Sequence, residues 1–200
     1  MFFVLLSSSL AWTQQPVVGR DAAAKYFGQR QPQAESEVVS DLTDHFLGLH
    51  LGTQLATEAY EWGQRGREDG VGRLSFGLTY KFDSWGPRAD SNLRVDFNEF
   101  ELKGEKPLKM SLMPLITFPE SSSKFPMYFG AGAGVGVFFK QLREETPITL
   151  DYQLIVGVRF FDVFENSGFF IETGMKNHLQ ILTSGQVNST FLAGGALFTF

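Results

Sequence analysis

His178, with Glu172 before it and Ser184 and Ser189 after it, is the arrangement in this chain most able to do covalent chemistry. A histidine beside a serine removes the hydroxyl proton as the oxygen attacks an acyl ester, and a carboxylate holds the imidazole for that task. His45 and His50 have no metal-ligand partner at useful spacing, so they read as an interfacial side chain and a hydrogen-bonding one. The absence of cysteine removes disulfides, thiolate zinc sites and cysteine nucleophiles together, and no cofactor or metal site is expected. The second chemistry-bearing set is electrostatic. Glu58, Arg73, Lys81, Arg94, Asp96, Lys109, Asp151, Arg159, Glu172 and Lys176 share the polar side of alternating segments. The 17 basic residues are scattered and the net charge is -5, which excludes a nucleic-acid footprint.

The elements that position these groups are strands. From His45 onward the hydrophobic period is two: Leu74, Phe76, Leu78, Tyr80 and Phe82 oppose Arg73, Ser75, Gly77, Thr79 and Lys81. The same alternation predicts strands over 46–60, 93–102, 108–118, 127–139, 148–160, 169–179 and 189–200. In the 93–102 run the phase slips at Glu99, so that Phe100 and Leu102 continue the apolar face through a bulge. Pro114 fits only at an irregularity. An even number of long strands with short connections predicts an all-β, eight-stranded antiparallel up-and-down barrel. The 200 residues divide into a signal peptide or its remnant over 1–11, a polar arm over 12–44 with a short helix from Asp21 to Phe27, and the barrel over 45–200. No continuous run of 18 apolar residues exists, so no transmembrane helix is expected.

Alternation alone does not say which face is outside, since a membrane barrel and a soluble ligand-binding barrel differ by turning the pattern inside out. The glycines decide it. Gly130, Gly132, Gly134 and Gly136 occupy the polar face of one strand, where they would weaken a water-facing surface but make room inside a narrow lumen. The 21 Phe and 21 Gly thus divide between lipid and lumen, and a mean hydropathy of -0.07 is the average of the two faces. Tyr80, Phe82, Phe118, Phe139, Phe160 and Phe200 stand near run ends, where an interfacial girdle belongs.

The closing segment Phe191-Leu192-Ala193-Gly194-Gly195-Ala196-Leu197-Phe198-Thr199-Phe200 resembles the C-terminal signature of Gram-negative outer-membrane barrels. Tyr128-Phe129-Gly130-Ala131-Gly132-Ala133-Gly134-Val135-Gly136 is similar to the glycine-rich strand of small barrels in the OmpA/OmpX-like superfamily. The resemblance implies export through the periplasm, insertion by the barrel assembly machinery, contact with outer-membrane lipid, and outward loops over 61–70, 103–107, 141–147 and 183–186. A periplasmic partner is expected for the arm. Small outer-membrane lipid A deacylases carry a His-x-Ser pair near the outer end of the seventh strand, whereas this chain has His178-Leu179-Gln180. The expectation is therefore a non-enzymatic envelope protein with a structural or partner-binding role. Its lumen is filled by Arg73, Arg94, Asp96, Lys109, Asp151, Arg159, Glu172 and Lys176. The alternatives are a deacylase-like hydrolase using His178, Glu172, Ser184 and Ser189, and a narrow pore.

Overall fold

The computed structural model describes residues 45–62, 66–85, 88–102, 104–140 and 146–200. The expected signal segment, arm and short helix lie outside the described residues. The chain forms β1 (Phe46–Tyr60), β2 (Arg67–Asp69), β3 (Gly72–Ser84), β4 (Asp90–Phe100), β5 (Leu108–Phe118), β6 (Met127–Phe138), β7 (Ile148–Phe164), β8 (Ser167–Gln180) and β9 (Gln186–Thr199). Eight of these are long and pair antiparallel in sequence order, and β1 pairs with β9 to close the barrel. The short β2 folds back on the end of β1, with Glu58 opposite Asp69. Closure leaves no row of unpaired backbone N–H and C=O groups along an edge, which is the condition for crossing hydrocarbon with strands. We call the end where β1 begins and β9 finishes the base, and the opposite end the top.

The two faces are chemically opposite. Leu154, Phe129 and Ile171 point outward and are 56%, 52% and 51% exposed, while Arg94, Lys109 and Asp151 point inward and are at most 1% exposed. Large apolar groups outside and ionised groups inside invert the arrangement of a soluble domain. The inward glycines work by close approach. A Cβ on Gly136 would meet the side chains of Asp151, Lys109 and Thr149, and one on Gly134 would meet the backbone of Leu112 and Met113. At the base, the outward rings of Tyr80 and Phe200 stack at 6.2 Å and His45 joins them at 6.1 Å from Tyr80.

Three expectations change. Register shifts between Gly72 and Ser75 put Arg73 outside, half-exposed, 2.9 Å from Glu101 rather than in the lumen. A bulge between Gln54 and Ala56 does the same for Glu58, which faces outward against Arg67. The expected slip at Glu99 does not occur: β4 and β5 stay in register through Glu99 and Leu108, and Phe100 turns inward, fully buried. It joins Ala59, Trp62, Val71, Leu102, Phe138 and Val187 in an apolar cluster across the top of the lumen. Pro114 points outward, and the β5–β6 ladder skips Met113 and Pro114 without changing register.

Because Gly134 abuts backbone that cannot move without opening the β5–β6 ladder, Gly134→Val is expected to destabilise the barrel by about 1–3 kcal/mol. Urea unfolding in detergent micelles, followed by the heat-sensitive gel band of the folded barrel, measures it. An unchanged midpoint would contradict the close approach.

Candidate functional site

The lumen is built from strand residues two apart, since these share a face. At the base, Asp90 of β4 is fully buried, 3.2 Å from the Lys81 ammonium and 3.1 Å from the Arg159 guanidinium. Lys81 also donates to Ser121 Oγ at 2.8 Å, and Arg159 donates to the Pro119 carbonyl at 2.5 Å while its guanidinium stands 5.0 Å from the Tyr128 ring centre.

In the middle, Arg94 and Asp96 on β4 face Glu172 and Lys176 on β8. Asp96 Oδ1 accepts from Arg94 Nε at 2.9 Å and lies 3.0 Å from His50 Nε2, and its Oδ2 accepts from Lys176 at 2.7 Å. Arg94 Nη2 donates to Glu172 Oε1 at 2.5 Å, and the Tyr128 hydroxyl donates to Glu172 Oε2 at 2.8 Å. The Lys176 ammonium also stands 4.5 Å from the centre of the Phe191 ring.

Toward the top, Lys109 of β5 donates to Asp151 of β7 and to Ser111 Oγ at 3.0 Å, and its Nζ is 2.8 Å from His178 Nδ1. Thr149 donates to Asp151 Oδ1 at 2.7 Å, and His178 Nδ1 lies 3.0 Å from the same oxygen. The edge of His178 meets Phe100 of the apolar cluster, with ring centres 5.7 Å apart. Glycine stands opposite several of these large groups: Gly134 pairs with Asp151, Gly157 with Glu172 and Gly77 with Asp96. The space beside Gly77 is taken by Asp96 and His50, and that beside Gly157 by the Tyr128 ring.

Of the residues expected in the lumen, Arg94, Asp96, Lys109, Asp151, Arg159, Glu172 and Lys176 all stand there, and Arg73 does not. Two features of the lumen lie outside the predicted pattern. Asp90 precedes the predicted 93–102 strand, and its inward phase with Asn92, Arg94 and Asp96 is the signal that marks it. The apolar lumen residues, such as Leu115, Phe170 and Phe191, interrupt the polar phase and were legible only as exceptions to it. The possible hydrolytic set is not brought together. His178 is 1% exposed, its Nδ1 is engaged by Asp151 and Lys109, and its Nε2 has no hydrogen-bond partner among the described residues. Ser184 is exposed in the β8–β9 turn, Ser189 donates to the Lys176 carbonyl at 3.3 Å, and Glu172 is held by Arg94 and Tyr128.

Between the base and middle sets the side chains of Phe46, Asn92, Arg94, Tyr128, Arg159 and Glu172 border a gap of about 20 Å³, room for about one water. Removing a single partner from such a set leaves an uncompensated buried charge. Asp96→Ala is expected to cost about 3–5 kcal/mol in micelle unfolding experiments, against under about 1 kcal/mol for Arg73→Ala in its exposed pair. Equal costs for the two would contradict the assignment of Asp96 to the network and Arg73 to the outside.

No family model and no curated protein matches the sequence. Among solved structures, the chain is similar to the outer membrane enzyme PagL, with 15% identity and a TM-score of 0.52 over 78% of this chain and 99% of that one. It is similar in the same degree to Neisserial surface protein A, with 13% identity and a TM-score of 0.52 over 79% of this chain and 98% of that one. With β1 closing on β9 and the charges inside, the chain has the fold of the small eight-stranded outer-membrane β-barrels.

Proposed function

We propose that the chain is a non-enzymatic outer-membrane protein whose closed barrel anchors it in the envelope without conducting ions. The observation that carries this reading is the filled lumen. Arg94, Lys109, Met113, Leu115, Phe100 and Phe191 each lie fully buried inside it, and Trp62, Phe100 and Phe138 pack ring against ring across the top. An eight-stranded barrel is just wide enough to be filled by side chains, and a filled barrel has no path for hydrated ions.

In this reading the barrel is exported through the periplasm and inserted by the barrel assembly machinery, which takes the strand ending at Phe200. The base faces the periplasm, and the partner of the segment over 12–44 is a periplasmic one. The top faces outward. The wall contacts outer-membrane lipid through the outward Leu, Val and Phe side chains. With His178 sealed in the lumen and no serine among the described residues bonded to it, the geometry favours anchoring over ester hydrolysis.

The full chain reconstituted into planar bilayers is expected to give no discrete conductance steps while showing heat-sensitive migration on gels. Regular single-channel steps from folded protein would overturn the closed-lumen reading, and full solubility without detergent would overturn the membrane reading.

A further inference from the structure

The outward face of the barrel carries a polar interruption near the top. Tyr152 of β7 pairs with Asn177 of β8, Asn177 with Asn188 of β9, Asn188 with Glu58 of β1, and Glu58 with Asp69 of β2. These residues alternate with the inward Asp151, Lys176, His178 and Val187, so the row lies on the lipid side of the wall. Glu58, Tyr152, Met175, Asn177, Asn188 and Thr190 line a crevice of about 480 Å³. Below it the wall is apolar, with Leu154, Ile171 and Leu192 exposed, and on β7 Leu150 lies above it. Amides presented to hydrocarbon without partners are costly, and among the described residues the Asn177 and Asn188 side chains make no hydrogen bond.

Resting on the membrane reading above, we propose that this crevice binds the hydroxyl-rich glycosyl headgroup of an outer-leaflet lipid. Its acyl chain lies down the wall on Met175 and Leu154. The crevice opens on the outward face of the wall, the face that meets lipid in the membrane reading. Amides both donate and accept, which suits sugar hydroxyls. A phosphate headgroup suits the row poorly. Among the described residues the neighbouring cation is Arg67, already committed by donating to Glu58 Oε1 at 2.6 Å and to Asp69 Oδ1 at 2.7 Å. Glu58 also accepts from the Tyr60 hydroxyl at 2.6 Å, so the row presents two carboxylates against one engaged guanidinium.

The test uses the full chain in dodecylphosphocholine micelles, titrated with dodecyl maltoside, with the side-chain amides of Asn177 and Asn188 followed by NMR. Saturating shifts of these two amides are expected, with contacts from the maltose ring to Thr190 and from the acyl chain to the Met175 methyl. The double variant Asn177→Leu/Asn188→Leu places leucine where a lipid-facing wall accepts it. It is expected to keep the heat-sensitive gel band and to weaken saturation at least about tenfold. The proposal is overturned by shifts that do not saturate or that spread evenly over other outward residues. It is also overturned by an equal response to added dodecylphosphocholine, or by contacts showing that a second copy of the chain covers the row. A wild-type chain with no heat-sensitive band would instead defeat the membrane reading beneath it.

Discussion

Asp96, 1% exposed inside the barrel, receives Arg94, Lys176 and His50 on two oxygens. A charge in such a place cannot be hydrated, so it is tolerable only when the protein supplies the partners that water would. The described lumen sets five cations, Lys81, Arg94, Lys109, Arg159 and Lys176, around four carboxylates, Asp90, Asp96, Asp151 and Glu172. The bonds cross the barrel: Arg94 on β4 reaches Glu172 on β8, and Lys109 on β5 reaches Asp151 on β7. Backbone ladders tie each strand only to its neighbours. The charged groups tie strands that are not paired in the sheet, and a strand that slipped by one residue would carry its charges to the lipid side.

That dependence explains where the glycines and rings are. Buried charged side chains need room, and the wall gives it at Gly77 beside Asp96 and at Gly136 beside Asp151 and Lys109, while Gly157 makes room for the Tyr128 ring. The remaining volume is closed by apolar side chains in three clusters, one at the base, one in the middle and one at the top. Phe191 illustrates the join: fully buried, it packs near Ala193 on one side and under the Lys176 ammonium on the other. The lumen is an alternation of paired charges and apolar side chains, and it leaves little open.

Most of this was legible in the residue pattern. A period of two and four glycines sharing one face place the strands within a few residues and turn the apolar face outward. The bulges were not legible. Near Gly72 and Gln54 the phase shifts with no change in composition, so Arg73 and Glu58 looked like lumen residues. The opposite error came at Phe100, where an apolar residue on the inward phase was read as a slip. Phe138 and Val187 break the inward phase in the same way, and together they mark the apolar top of the lumen. The chemistry of His178 depended on which face it took. In the lumen it is 1% exposed and a partner of Asp151 and Lys109.

Ionised groups face inward and apolar groups outward around the barrel, and β7 displays both in alternation. Intermolecular NMR contacts between detergent acyl chains and the β7 side chains test it most directly. Contacts to Leu150, Leu154 and Val156 with none to Asp151, Gln153 or Ile155 are the predicted result. Contacts to Asp151 and Gln153 with water at Leu154 would contradict it.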